Sequence, residues 1–419
     1  MRLRPQLVLV TVLVFGMFAL SLLLTTPSIP VQGSLIASPA LSVAVQGNEL
    51  IDNQGRRIVL HGVSHSGSES LCANYAQTFD GPVDAAAITA MTAWNINAVR
   101  VPLNSSCWLG IQGVQQNKDT YQADVLAYVD RLAAAGLYAI LDLHCNDLTC
   151  RGGDVPNIMA TRDDIPFWAS VATAVKNKPY VLLDLYNEPH DVSWTTWRNG
   201  DGNHAGMQEM LNAVRGTGAL NVVMAGGLAW ANDLTGWLAN KPTDPAGQLV
   251  ASWHSYNFNA CNNTGCWNSQ VSPVAAQVPI VAGEIGENDC ASTYVQSLMT
   301  WLESIQQSYI LWTWNTWDCG GGPSLIKDYS GAPTNYGAGV KTHLLAVGCV
   351  LGGPTPVPTK VPSTTPVSSA TPNPTATPTR TPLPPTPTPV PTGTPTPKPC
   401  DVHTYDTSTD TVTVTICPK

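Results

Sequence analysis

The chain has 419 residues, of which 44% are hydrophobic and only 12% charged, with a net charge of −9. That hydrophobic content supports a large core, and the length accommodates a domain of roughly 200–300 residues plus appendages. The acidic balance argues against nucleic acid or anionic lipid as the main partner, since both favour basic patches, and it suits a neutral substrate such as a sugar polymer.

The chain opens with Met1-Arg2-Leu3-Arg4 and continues in an apolar run from Leu7 to Leu24, interrupted by Thr11, Gly16 and Ser21. A basic start followed by an apolar stretch is an export signal. The run is long for a cleaved signal and barely long enough to span a bilayer, so residues 1–45 are either a signal peptide with a leader or a signal anchor. Small residues between Gly33 and Ala44 offer cleavage sites, for example after Ala40 or Ala44. The expected location is extracellular, either free or tethered to the outer face of a membrane.

Residues 48–57 read as a small hairpin turning at Asn53–Gly55. From there, strand and helix signals alternate to about residue 347. Strands are predicted at 58–63, 96–103, 137–143, 180–186, 220–225, 249–254, 279–284 and 309–314. Helices are predicted at 84–94, 120–135, 163–176, 204–217, 230–239, 269–276, 291–307 and 336–346. In the helix at 120–135, Val125, Val129, Leu132 and Ala133 share one face and Gly136 closes it. Eight strands alternating with helices predict a (β/α)₈ TIM barrel over residues 46–350. An open doubly wound sheet is the alternative, but no Gly-rich phosphate loop follows the first strand.

After Gly352 the composition changes. Residues 351–399 are a linker dominated by proline and threonine, without the apolar periodicity needed to bury a core, and are expected to be disordered. Residues 400–419 alternate Thr and Val between Cys400 and Cys417, which predicts a short disulfide-closed hairpin.

The eleven cysteines fit an oxidising compartment. None shows metal-binding spacing, so no metal is expected. The pairs expected from position are Cys72 with Cys107, Cys145 with Cys150, Cys261 with Cys266, Cys290 with Cys319, and Cys400 with Cys417. Cys349 is left over, although sequence alone does not determine connectivity.

Chemistry concentrates at the predicted strand ends. Val181 to Leu185 is a short apolar run that suits a strand buried on both faces, and Asn187-Glu188-Pro189 ends it. Proline biases the preceding residue to extended geometry, which places a carboxylate at the C-terminal tip of the strand. A second apolar run, Pro279 to Gly283, ends in Glu284, and Gly283 leaves room beside it. Glu287 is the competing candidate, expected to be exposed because it lies past the strand tip. Two carboxylates across a barrel mouth are what glycosidic cleavage requires: one protonates the leaving oxygen and the other attacks the anomeric carbon. Arg100, in an otherwise apolar strand, would hold one of them ionised and oriented, or else forms a structural ion pair within the barrel. His144, His254 and Tyr256 also fall at strand ends, where a lone histidine is more often structural than catalytic. Of thirteen tryptophans, most are expected in packing. Trp312 and Trp314, at the last strand, could instead stack on a pyranose face.

The set Arg100, His144, Asn187-Glu188-Pro189, His254-x-Tyr256, Gly283-Glu284 and Trp312, in this order, resembles glycoside hydrolase family 5, the cellulase-type clan A barrels. The resemblance covers about residues 48–347. It implies Glu188 as general acid/base, Glu284 as nucleophile and Asn187 as the partner of the sugar 2-hydroxyl. Arg100 and Tyr256 would orient the nucleophile, and His144 and His254 would line the catalytic subsite above a Trp312 floor. The loop His61 to Glu69 departs from the aromatic-rich start that many cellulases of the family carry. A retaining endo-β-glucanase is therefore the leading expectation, with mannan, xylan or arabinose- and galactose-containing glycans as alternative substrates. A sugar-binding barrel without activity, or an adhesion scaffold displayed on the linker, are the non-enzymatic alternatives. The chemistry requires no cofactor, and a monomer is expected.

Overall fold

The structure, a computed structural model, describes residues 41–347 apart from 112, 147–156 and 320–321, together with the backbone of 401–406 and 411–416. The N-terminal segment 1–40, the linker, Cys150, Cys349 and the Cys400–Cys417 pair lie outside the described residues.

Eight short strands pair in parallel and close on themselves: β1 (His61–Ser64), β2 (Ala98–Asn104), β3 (Tyr138–Cys145), β4 (Val181–Asp184), β5 (Val223–Gly226), β6 (Leu249–Tyr256), β7 (Ile280–Gly286) and β8 (Ser308–Leu311). Each is a predicted strand, with ends displaced by up to three residues (58 against 61, 314 against 311). At β8 the ladder stops early because Thr313 N–H donates to Pro323 and Trp314 N–H to Ser64.

Helices cover the barrel because each buries one stripe. Lys118–Ala134 begins at Asn117, whose side chain accepts from the Asp119 and Thr120 amides, and ends before Gly136 at φ 81°. Its inner face is Tyr121, Val125, Tyr128, Val129 and Leu132, all buried; each contributes roughly 1.5–3 kcal/mol relative to exposure. Two predicted helices differ. At 230–239 only Trp237–Asn240 is helical. The residues before it form a tight turn, with Gly227 bridged to Ala231 and Leu228 to Asp233, and with Ala229, Trp230 and Ala231 all at positive φ. The segment predicted at 269–276 starts earlier, at Thr264 under an Asn263 cap, and passes through a π turn at Trp267–Val271. A helix at Trp194–Asn199, capped by Ser193, has no counterpart in the sequence reading.

Inside the barrel the side chains form layers. The lowest is apolar: Leu60, Ala98, Ile140, Leu182, Met224, Val250, Val281 and Ile310. Gly62 belongs to this packing, since a Cβ there would lie 2.5 Å from Ile310 Cδ1. The predicted hairpin is part of a three-stranded sheet, Ala44–Gln46, Glu49–Ile51 and Arg57–Ile58, which plugs the bottom of the barrel through Val43, Leu50 and Ile58. The strands' outward residues pack instead against the helices, as Val99, Val101, Leu141 and Leu183 do.

Of the expected disulfides, Cys72–Cys107, Cys261–Cys266 and Cys290–Cys319 are formed. Cys145 is also disulfide-bonded. Residues 401–406 and 411–416 pair as an antiparallel hairpin.

Candidate active site

Period-two alternation decides what faces the cavity. On β2, Ala98 points inward and Val99 outward, so Arg100 points inward one layer higher. By the same count Asp142 lies above Ile140 on β3, and Asp184 above Leu182 on β4. These groups meet. Arg100 is fully buried and donates through Nη1 to Glu284 at 2.6 Å and through Nη2 to Asn187 at 3.0 Å. It also contacts Asp142 at 3.0 Å and Asp184 at 3.2 Å. Burial alone would lower its pKa, but Asp142, Glu284 and Asp184 raise it, so the guanidinium stays charged. Arg100 thus forms an ion pair with Asp142 and Asp184 within the barrel and also contacts the Glu284 carboxylate.

Glu284 reaches the cavity through a break in the alternation. Val281 faces inward and Ala282 outward, so a regular strand would turn Glu284 outward toward the helices. The register shifts between Ala282 and Glu284, which brings Glu284 into line with His254 on β6 and reverses the parity. Gly283 is needed because a Cβ there would lie 2.7 Å from Ser252 Oγ and 3.0 Å from His254 Nε2. The close approach it permits is thus that of neighbouring side chains. Tyr256 O–H donates to Glu284 Oε2 at 2.7 Å.

Glu188 stands on the other side of the same space. Pro189 predicts an extended residue before it, but Glu188 has φ 52°. Such a conformation costs on the order of 1–3 kcal/mol and is held only where surroundings over-determine it. Here Asn187 N–H donates to Leu143, His190 Nδ1 lies 2.9 Å from the Glu188 carbonyl, and His254 Nδ1 lies 3.1 Å from Glu188 Oε1. Ligand-type atoms of Glu188, His254 and Glu284 all fall within 4.8 Å of one another. Among the described residues this is the group that could hold a cation, and it is the paired carboxylates themselves.

The electrostatics separate the groups. Burial raises the Glu188 carboxyl to about 7. Burial lowers His254 to about 4, so this imidazole is neutral near neutrality. For His144, burial would lower the pKa, but Asp142, 2.7 Å from its Nδ1, and further acids raise it to about 9. The His144 ring stacks on Trp312 at 5.6 Å between centroids and 13° between planes. His144, Glu188, Glu284 and Trp312 line a cavity of ≈ 540 Å³ with Asn187, Tyr256, Trp230, Phe258 and Pro323, whereas His254 is buried behind it against Glu188. Trp314 points elsewhere, fully buried against Trp94.

Glu287 departs from expectation. It is 1% exposed rather than on the surface, because its Oε2 accepts the Tyr294 amide in the first turn of the helix at Thr293–Ser304. We expect Glu287→Ala to lower stability by roughly 1 kcal/mol, as loss of a helix cap does, while any activity of the paired carboxylates Glu188 and Glu284 persists. Denaturant unfolding and an activity assay would check this.

Asp142, Asp184, Trp230 and Phe258 are site residues that the sequence reading missed. The two aspartates had a signal, an acidic residue at an inward position of an apolar strand. Trp230 was read into a helix, and its exposure follows from the left-handed turn.

The family model described as Cellulase (glycosyl hydrolase family 5) matches residues 51–319. The chain belongs to glycosyl hydrolase family 5. This family 5 chain is 26% identical over 320 residues to Endoglucanase CelA of Streptomyces lividans, covering 72% of this chain and 63% of that relative. It is 25% identical over 311 residues to the Probable endo-beta-1,4-glucanase B of Neosartorya fischeri, covering 68% of this chain and 86% of the relative. Among solved structures, the beta-glucanase SdGluc5_26A from Saccharophagus degradans superposes with a TM-score of 0.58 at 19% identity, over 74% of this chain and 94% of the other. A hyperthermophilic endocellulase from Pyrococcus horikoshii superposes with a TM-score of 0.58 at 18% identity, over 73% of this chain and 99% of the other. At that identity the likeness is one of fold.

Proposed function

We propose that this family 5 barrel is a secreted, retaining endo-β-glucanase of cellulase type. The observation that carries the reading is the pair Glu188 and Glu284, which face each other across one cavity with one carboxylate oxygen of each within 4.8 Å of the other. Double displacement works at separations of roughly 5–5.5 Å, whereas inversion needs roughly 6.5–9.5 Å to admit a water between carboxylate and sugar.

In the first step Glu284 attacks the anomeric carbon while Glu188 transfers its proton to the departing glycosidic oxygen. The C–O bond breaks and a glycosyl ester forms on Glu284. Glu188, now a carboxylate, then deprotonates a water that displaces Glu284 and restores the starting configuration. Arg100 and Tyr256 hold the nucleophile. Asn187, whose oxygen is taken by Arg100, turns its amide toward the sugar 2-hydroxyl. His144 and Trp312 form the floor under the ring, and His254 stays neutral beside the acid. The glucan assignment rests on relatives named as glucanases. Export rests on the apolar N-terminal run and on the disulfides. Among the described residues no helix is long and apolar enough to cross a membrane.

Incubating the purified chain with glucans, mannans, xylans and arabinogalactans tests the reading. Release of reducing ends from internal β-glucan bonds supports it, and no release from any of them overturns it. The pH profile is a sharper check. Glu188 must carry its proton in the first step and loses it through about 7. kcat/KM should therefore fall on the order of tenfold per pH unit above that value. A profile level to pH 9 would remove Glu188 from the acid role.

A further inference from the structure

The loop after β8 carries a second aromatic surface that the catalytic cavity does not use. Trp317 is 41% exposed, yet it is anchored. Its indole N–H donates to Asp80 Oδ2 at 3.2 Å, and the same oxygen accepts Asn315 Nδ2 at 3.0 Å. The Asp80 carbonyl is gripped by Tyr329 O–H at 2.7 Å and His65 Nε2 at 3.1 Å. Gly81, at φ 93°, admits this contact, since a Cβ there would collide with the Tyr329 ring. Cys319, two residues on, is bonded to Cys290. The ring therefore loses little freedom on meeting a ligand.

Trp317 does not line the cavity itself but lies next to a segment of its wall. The Cβ position of Gly322 lies 3.6 Å from Trp317 Cε3, and the next residue, Pro323, lines the cavity wall. In the closed ring of eight strands, the β1 loop that holds Asp80 is diametrically opposite β5, whose following turn carries Trp230. Trp230 stacks on His190, whose Nδ1 touches the Glu188 carbonyl. The acid thus sits toward the Trp230 end, where the leaving sugar must depart.

We infer that Trp317 is a stacking platform for a pyranose ring on the glycone side, beyond the sugar that reacts. The cleft then runs from Trp317 across Glu188 and Glu284 to Trp230. Apolar ring faces of β-linked sugars match an exposed indole. This inference rests on the glucanase reading.

Aryl β-cello-oligosaccharides with glycones of two to four sugars test it, because the leaving group stays constant while the chain grows toward Trp317. In the wild-type protein kcat/KM should rise about tenfold, equivalent to about 1.4 kcal/mol, with the sugar that first reaches the indole. Trp317→Ala should abolish that ratio between long and short substrates, and Trp317→Tyr should keep most of it. A ratio unchanged in Trp317→Ala overturns the platform while leaving the enzyme reading intact. An equal loss in Trp317→Tyr assigns the effect to the Asp80 tether and also overturns it. A wild-type protein that cleaves none of the series overturns the glucanase reading, and the platform with it.

Discussion

Glu284→Gln should leave the barrel folded and reduce turnover by at least three orders of magnitude. The amide keeps the volume of the side chain and can still accept from Arg100 Nη1, which now lies 2.6 Å from Oε1. Its NH₂ can donate to the Tyr256 oxygen, so the loss there is confined to the acceptor that the Tyr256 hydroxyl has in Oε2. What disappears is the negative charge that makes the carboxylate a nucleophile, and with it the covalent intermediate. Circular dichroism and denaturant unfolding should match the parent within about 1–2 kcal/mol, while product release ceases. Azide added to Glu284→Ala should restore cleavage and yield a glycosyl azide of inverted configuration. Turnover in Glu284→Gln near that of the parent would end the double-displacement reading. Glu287 offers no substitute, since its carboxylate is engaged with the Tyr294 amide.

Arg100→Leu should lose both activity and stability. The fully buried guanidinium touches three acids, Asp142, Asp184 and Glu284. Removing one partner from a buried ionic group typically costs about 3–5 kcal/mol, because the remaining charges are left uncompensated. Denaturant unfolding at neutral pH measures the loss. Arg100→Lys should rescue little. Glu284 is held by Nη1, while Asn187 and Asp142 are contacted by Nη2, and a single ammonium cannot span that fork. Unchanged stability in Arg100→Leu would show that the carboxylates are protonated or hydrated without it. That result would also remove the rationale for Arg100 orienting the nucleophile.

Much of the site was legible along the chain. Asn187-Glu188-Pro189, His144 and Tyr256 follow apolar runs at intervals that only a repeating strand–helix unit explains, and they converge as expected. Trp312 rather than Trp314 lines the cavity, Trp314 being buried against Trp94. The misreadings share a cause. The stretch 230–239 has helical composition, but bridges from Gly227 and Leu228 and three left-handed residues pull its start into a turn. Glu287 lies past the strand tip, yet a neighbouring helix end claims it. In both cases hydrogen bonds to neighbouring elements, Trp230 N–H to Pro189 and His254 N–H to Ala231 in the first and Tyr294 N–H to Glu287 in the second, outweighed local preference.

By itself the sequence determined which segments become strands, that polar groups stand at their tips, and which acids could do the chemistry. These follow from periodicity and chain breaks within a few residues. Only the tertiary structure decided that Glu284 faces the cavity, because a register shift at Gly283 against β6 reverses its side. It alone also joined Arg100 to Asp142 and Asp184, and bent Glu188 into left-handed backbone. Those outcomes depend on pairing between strands far apart in the chain, which no local pattern encodes.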